Sequence, residues 1–181
     1  MSASPAYDFT RNHFALFGLE PVFGLDENRL EARYREIQVQ IHPDRFAQAG
    51  ETERRLSMQW ATQVNEAFQT LRQPLARARY LLQLQGVDTQ EESNTAMPPA
   101  FLMQQMEWRE DIIDARRTGD IDALEQLQAR LKKETRSLLA TLAEDIDARR
   151  DLPAAAQQVR MLKFLEKLRE DIAHAIEALD H

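Results

Sequence analysis

Apolar residues recur at intervals of three and four along most of this 181-residue chain, and prolines and glycines interrupt the pattern at only a few places. Such intervals place side chains on one face of an α-helix. Gly is scarce, at 5, and the strong helix formers Ala, Leu, Gln, Glu and Arg dominate the composition. Together these features predict an all-α protein.

The interruptions divide the chain into seven predicted helices. Asp26 is typical of a helix N-cap, and Pro43 ends the helix that follows it, because the residue before a proline avoids the α region. Gly86 is expected to close the fourth helix, and Gly119 the fifth. The predicted helices cover about residues 10–18, 27–41, 52–72, 74–85, 99–117, 121–150 and 153–179.

Two modules are expected, at residues 1–86 and 99–181. The segment between them, 87–98, is polar and ends at a Pro-Pro pair, as linkers do. The first 86 residues carry 10 Lys+Arg and 10 Asp+Glu, whereas the rest carry 13 and 20, which accounts for the whole net charge of −7. Short connections between the last three helices predict an antiparallel three-helix bundle.

Several classes of function are disfavoured by composition. The absence of Cys removes disulfides, thiolate metal sites and cysteine nucleophiles, and the four histidines are not spaced to share a metal. We therefore expect no metal and no cofactor. The acidic second half argues against nucleic acid, and no membrane-spanning or targeting segment is visible, so a bacterial cytoplasmic protein is expected. Residues 1–8 are expected to be disordered.

The tripeptide His42-Pro43-Asp44 stands between the second and third predicted helices. By itself it fits an ordinary turn, or less readily a catalytic His–Asp dyad, for which the rigid proline and the lack of a nearby serine are unfavourable. Its flanks narrow the choice. The ordered set resembles the J-domain of co-chaperones: Tyr34-Arg35 before the loop, Val64-Asn65-Glu66-Ala67-Phe68-Gln69-Thr70-Leu71 on the next helix, and Pro74-Leu75-Ala76-Arg77-Ala78-Arg79-Tyr80 after it.

Other segments resemble one family of J-domain proteins, the iron–sulfur cluster assembly co-chaperone HscB. They are Phe14 to Leu19, His42 to Phe46, Phe101 to Glu107 and Arg160 to Arg169, and the resemblance runs from about residue 9 to the end. It implies an N-terminal J-domain helical hairpin followed by a C-terminal three-helix, client-binding bundle. It also implies a protein that is not an enzyme: a co-chaperone that delivers an IscU-type scaffold to a specialised DnaK-type chaperone, HscA, and stimulates its ATPase.

The same resemblance implies the residues that contact the chaperone. They are the loop residues and two supporting cations: His42, Pro43, Asp44, Arg35 and Arg45. A rigid proline would fix the imidazole and the carboxylate, which can form charge-assisted bonds. The preceding helix departs from general J-domains in being less basic, because Glu36, Gln38 and Gln40 stand where Lys or Arg is common. Electrostatic docking should therefore be weaker or more partner-selective.

The fifth predicted helix carries more apolar residues than one core face needs. At helical spacing Phe101, Trp108, Ile112 and Ala115 form the core face, and Leu102, Met106 and Ile113 form a second stripe. From the residues alone, that stripe is either a wide buried arc or a partner surface. The resemblance implies a scaffold-binding patch made of Leu102, Met103, Met106, Glu107, Glu110 and Phe164.

Two other functions stay open. The chain could be a J-domain adaptor for a different client, sharing the loop but not the patch on the fifth helix. It could also be a small enzyme that uses His42 and Asp44, which would show turnover without any chaperone.

Overall fold

The computed structural model describes residues 7–46 and 48–180. All regular elements in these residues are helical, which confirms the predicted all-α fold. In chain order they are α1 (His13–Leu16), α2 (Glu27–Ile41), a 3-10 turn (Pro43–Phe46), α3 (Glu51–Arg72), α4 (Pro74–Leu84), α5 (Pro99–Thr118), α6 (Ile121–Ala143), a π-helical segment (Glu144–Arg149) and α7 (Leu152–Leu179).

Helix ends fall where the capping residues predict. The Asp26 carboxylate accepts a hydrogen bond from the backbone N–H of Arg29 at 3.1 Å, at the start of α2. Asp120 does the same for Ala123 at 2.9 Å, at the start of α6. Gly119 closes α5 in the left-handed region, with φ of 69°, where a side chain would be strained.

The first helix is shorter than predicted. Residues 10–18 were expected to be helical, but the Asp8 carboxylate accepts from the backbone N–H of Thr10 at 3.1 Å and holds a turn there. The helix begins only after Asn12, whose side chain accepts from the N–H of Ala15 at 2.8 Å. Of the expected disordered residues, 1–6 lie outside the described residues. Tyr7 is placed, with its ring 5.8 Å from that of Trp60, so there the prediction is wrong.

The predicted helix over residues 121–150 is not uniform either. It changes from α to π geometry at Glu144–Arg149, and Arg150 ends it in the left-handed region, with φ of 58°. Both Asp145 and Ile146 are buried there. A π turn widens the helix and rotates the residues, and the buried Asp145 carboxylate accepts from Arg149 at 3.0 Å and also from Gln158 of α7. The wider turn therefore places a satisfied carboxylate inside the bundle.

Contacts between Cα atoms divide the chain into two units, Met1–Leu81 and Leu82–His181. In the first unit α1 and α2 both pack on α3, so that α2 and α3 form a helical hairpin. Its core consists of aromatic and aliphatic side chains: Phe14, Phe17, Leu30, Val64, Ala67, Phe68, Leu71, Leu75 and Ala78. The predicted module limits at residues 86 and 99 stay predictions.

In the second unit α5, α6 and α7 pack on one another, which confirms the predicted three-helix bundle. Its core is continuous and includes Phe101, Trp108, Ile112, Ala115, Leu124, Leu127, Leu131, Leu165, Leu168, Ile172 and Ala175. The polar segment 87–98 is tied to the bundle, because Arg160 of α7 donates to the carbonyl of Thr89 at 3.0 Å and Lys163 pairs with Glu92.

Candidate partner-binding surfaces

The His-Pro-Asp loop is a short turn anchored at both ends. His42 takes an extended conformation, with φ of −57° and ψ of 133°, and so ends α2. Pro43 opens the 3-10 turn, although its side chain lies outside what the structure describes. The N–H of Arg45 donates to the carbonyl of His42 at 3.0 Å. Ile41 before the turn and Phe46 at its end are both buried, and they fix the turn on the hairpin.

The loop presents its imidazole and its carboxylate to solvent. The side chains of His42 and Asp44 are 60% and 90% exposed. The N–H of Asp44 donates to Nδ1 of His42 at 3.4 Å, and Oδ2 of Asp44 lies 3.4 Å from the same nitrogen. These two contacts need Nδ1 as acceptor and as donor respectively, so they exclude each other at any moment. Both groups are therefore loosely held and available to a partner.

The predicted supporting cations are also exposed. Arg35 on α2 pairs with Glu31 one turn earlier, and Arg33 pairs with Glu36 at 2.9 Å. Arg45 follows the loop aspartate directly and is exposed. Exposed pairs of this kind contribute only about 0.3–0.5 kcal/mol. A partner carboxylate can replace Glu31 at little cost, so Arg35 is free to change partner on binding.

A polar and aromatic clamp joins α2 to α3 beneath the loop. The rings of Tyr34 and Phe68 are stacked, with centroids 3.9 Å apart and planes 6° apart. The Tyr34 hydroxyl donates to Oδ1 of Asn65 at 2.8 Å and accepts from Gln38 at 2.6 Å. Tyr34, Asn65 and Phe68 all belong to the segments that resemble a J-domain, and the structure gives them a shared role: they hold the two helices in register.

One apolar residue beside the loop was missed in the sequence. Val39 of α2 is 67% exposed and lines a groove of about 530 Å³ together with Ile41, His42, Ala61 and Asn65. Val39 lies outside the stripe Leu30, Tyr34, Ile37 and Ile41, and that departure was the available signal. The groove gives the loop an apolar neighbour, which a partner can cover.

The fifth helix divides into two faces. The predicted core face is confirmed, since Phe101, Trp108, Ile112 and Ala115 are all buried. On the outer face Leu102 is 42%, Met103 66% and Met106 64% exposed, so the apolar excess is not a wide buried arc. Among the described residues this outer face joins four of the eight large exposed apolar side chains, Leu102, Met103, Met106 and Ile113.

Phe164 of α7 borders this outer face. It is half-buried, lies 6.0 Å from Phe101 in an edge-to-face contact, and has the guanidinium of Arg109 at 5.3 Å over its ring. Glu107 and Glu110 are exposed, and at helical spacing they lie on either side of Met103, on the part of the outer face away from Phe164. We call the set Leu102, Met103, Met106, Glu107, Glu110 and Phe164 the α5 patch. Its methionines give it a deformable apolar surface, which suits protein partners.

The groove beside His42 is lined by Arg35, Gln38, Val39, Ile41, Ala61 and Asn65, and none of these is a Ser, Thr or Cys nucleophile. Within residues 7–46 and 48–180, no group of three or more His, Asp or Glu is arranged to hold a metal ion. No helix in that part of the chain is both long and apolar enough to cross a membrane.

An all-helical hairpin with an exposed His-Pro-Asp turn, followed by a bundle with an uncovered apolar face, is typical of a co-chaperone that binds other proteins. Comparisons with known proteins agree. The family model described as the HSCB C-terminal oligomerisation domain matches residues 97–173. The co-chaperone protein HscB homolog of Azoarcus sp. (strain BH72) is 51% identical over 176 residues, which cover 97% of this chain and 99% of the relative.

Two further relatives extend this match. The co-chaperone protein HscB homolog of Ralstonia nicotianae is 55% identical over 168 residues, covering 93% of this chain and 96% of the relative. The structure of chaperone HscB from Vibrio cholerae superposes with a TM-score of 0.81 at 39% identity, covering 93% of this chain and 99% of that one. The chain belongs to the HscB co-chaperone family.

Proposed function

We propose that this protein delivers an IscU-type iron–sulfur scaffold protein to a DnaK-type chaperone of the HscA kind and stimulates ATP hydrolysis by that chaperone. The proposed setting is the bacterial cytoplasm. The observation that carries the proposal is the separation of two exposed surfaces of different chemistry, the polar His-Pro-Asp turn in the first unit and the apolar α5 patch in the second. A delivery protein needs two such surfaces, because it must hold its client and its chaperone together.

In this proposal the turn binds the chaperone. Asp44 forms a charge-assisted bond with a chaperone cation, and His42 fills a neighbouring polar site, with Pro43 fixing their spacing. Arg35 and Arg45 supply positive charge that steers the turn toward an acidic surface. Supporting this role, Ile41 and Phe46 are buried on either side, so the turn has little conformational freedom to lose on binding.

The α5 patch binds the scaffold. Leu102, Met103 and Met106 bury apolar area against it, and each methionine contributes about 1.5–3 kcal/mol if binding covers it completely. Glu107 and Glu110 lie at one border and select a client with basic residues there, while Phe164 lies at the other. Exposed apolar side chains that are continuous and rimmed by charge are the usual mark of a protein-binding site.

The test is ATP hydrolysis by the cognate HscA-type chaperone, measured alone, with this protein, and with this protein plus the IscU-type scaffold. We expect the rate to rise with the protein and to rise further with the scaffold. His42→Gln should return the rate to that of the chaperone alone, whereas Lys133→Gln, an exposed change on α6, should leave it unaltered.

Other outcomes have definite meanings. If the protein raises the ATPase rate of the chaperone but the scaffold does not raise it further, the protein is a J-domain co-chaperone with a different client. No stimulation of any DnaK-type chaperone removes the proposed role of the turn, and ATP turnover by the protein alone points instead to an enzyme.

A further inference from the structure

A second groove lies within the bundle, next to the α5 patch. Of the six residues of that patch, only Phe164 also lines the groove. It has a volume of about 530 Å³ and runs between α5 and α7. Buried Ile112, Leu168 and Ala175 form its floor. Its walls are Arg109, Ile113 and Arg116 from α5 with Phe164, Lys167, Asp171 and His174 from α7.

The groove combines apolar and basic side chains. Ile113 is 63% exposed and Phe164 is half-buried, so both offer apolar area near the rim. Arg109, Arg116 and Lys167 bring three positive charges, against the single carboxylate of Asp171. Within the described part of the chain, none of the three cations has a salt-bridge partner within 4.0 Å.

This concentration of positive charge stands out against the rest of the second half. Residues 87–181 carry 13 Lys+Arg and 20 Asp+Glu, so a basic groove is not what their average charge produces. The carboxylates of α5 lie on the other side of its apolar face. Asp111 there pairs with Arg130 of α6 at 3.2 Å, which places this acidic border toward α6.

The exposed apolar stripe of α5, made of Leu102, Met106 and Ile113, therefore has opposite charges on its two sides. Toward α7 lie Arg109 and Arg116, and away from it lie Glu107 and Glu110. A partner segment that covers the stripe meets positive charge on one side and negative charge on the other. Only one orientation of a segment with both signs satisfies both borders, because the reversed orientation juxtaposes like charges.

We propose that this α5–α7 groove receives an acidic segment of the scaffold protein, in which Asp or Glu side chains flank an apolar residue. The apolar side chain packs on Ile113 and Phe164, and the carboxylates pair with Arg116 and Lys167. The groove thereby fixes the direction in which the scaffold lies along α5. This inference rests on the proposed function, since it assigns the groove to the same client as the α5 patch.

The basic side chains of the groove complement an acidic occupant, and the groove is also continuous with the α5 patch. Phe164 belongs both to the α5 patch and to the wall of the groove, and Leu102, Met106 and Ile113 follow one another along the same side of α5. A client that covers Met106 and Phe164 extends over the groove unless it is very small. The proposed ion pairs between the scaffold and the groove are exposed to solvent, so added salt should weaken them.

The experiment measures affinity of the full-length protein for the IscU-type scaffold at low and at physiological salt. We expect Arg116→Glu combined with Lys167→Glu to weaken binding at least tenfold at low salt and to reduce its salt dependence. Both side chains are exposed, so folding should persist. Because a glutamate in the last turn of α5 opposes the helix dipole, Arg116→Gln with Lys167→Gln is measured as well and should give an intermediate loss.

The matched control is Lys133→Glu with Arg169→Glu, two exposed cations on α6 and α7 that lie outside the groove. It changes net charge equally and should leave affinity within about twofold of the unmodified protein. If the control weakens binding as much as the groove pair does, only net charge matters, and the inference is wrong.

Met103→Ser separates this inference from the proposed function. A loss of scaffold binding with Met103→Ser and none with the groove pair overturns the groove while the α5 patch stands. No loss with either change removes both. If sedimentation shows that the groove pair abolishes self-association and leaves scaffold binding intact, the occupant is a second copy of this chain, and the proposal is wrong.

Discussion

The two surfaces of this protein differ in how they are held and in what they offer. The His-Pro-Asp turn offers a few directional polar groups, and buried Ile41 and Phe46 fix its backbone. The α5 patch offers apolar side chains on a regular helix, and Met103 and Met106 there are 66% and 64% exposed. Methionine side chains are unbranched and can adapt to the shape of a partner. The first surface is small and has a fixed backbone, and the second is broad and adaptable.

This difference sets how each surface should respond to substitution. A directional hydrogen bond or ion pair is either made or lost, so a single change in the turn should remove most of the binding energy at that point. Apolar contact area is spread over several side chains, so a single change on α5 removes only its own share. We therefore expect all-or-none behaviour in the first unit and graded behaviour in the second.

The largest effect is expected from Asp44→Asn. It keeps the shape of the side chain but removes the charge, and a hydrogen bond to a charged group is worth about 1.5–3 kcal/mol. Stimulation of the chaperone ATPase at limiting protein concentration should fall about ten- to a hundredfold. Because the side chain is 90% exposed, the unfolding transition should not move. Unchanged affinity for the scaffold confirms that the two surfaces act separately, and a parallel loss of scaffold binding breaks the comparison.

A smaller, graded effect is expected from the α5 patch. Met103→Ser should weaken scaffold binding about tenfold, in keeping with the burial of one methionine, and adding Leu102→Ser should weaken it again by a similar or smaller factor. Isothermal titration of the two variants measures this. Stimulation of the chaperone without scaffold should stay unaltered. Complete loss from Met103→Ser alone would show that this surface, too, depends on a single contact.

The helix limits and the core face of α5 could largely be predicted from the sequence, because they depend on residues close together in the chain. Capping aspartates, stop prolines and helical spacing predicted most helix limits and the core face of α5. Exposure of Leu102, Met103 and Met106 could not be decided that way, because a helix between two others can also bury a wide arc. The positions of the other two helices settle it, and those depend on the packing of the whole bundle.

Other features depend on contacts distant in sequence and gave no local signal. Arg77 is buried, donates to the carbonyl of Leu71 at 2.7 Å and lies 3.5 Å from Glu27, yet its sequence position suggests only an exposed helix residue. In the π-helical segment, the buried Asp145 carboxylate accepts from Gln158 of α7, 13 residues further along the chain. The basic groove combines residues 109–116 of α5 with residues 164–175 of α7, so no single helix reveals it.

The smallest expected effect distinguishes the two units by pH. His13 in the first unit stacks on Tyr80, with ring centroids 4.1 Å apart, and its backbone N–H donates to the Tyr80 hydroxyl at 3.0 Å. Partial burial lowers the pKa of His13 below its ordinary 6.5, and the nearby charge of Glu66 opposes this only in part. The folded state therefore favours the neutral ring, whereas the unfolded chain binds a proton at the ordinary pKa.

Stability from this residue is thus fully present above about pH 6.5 and is lost as pH falls from there toward the folded-state pKa. We expect the first unit to lose more unfolding free energy between about pH 7.5 and 5.5 than the same unit carrying His13→Gln. Denaturant unfolding followed by Trp60 fluorescence in a Trp108→Phe background reports the first unit alone, since these are the chain's two tryptophans. His174→Gln, an exposed change on α7, should leave this pH dependence as it is. If the unfolding free energy of the first unit depends on pH equally with and without His13, the stacked ring binds its proton as readily in the folded state as in the unfolded chain. In that case pH does not distinguish the unit that carries the turn from the unit that carries the α5 patch.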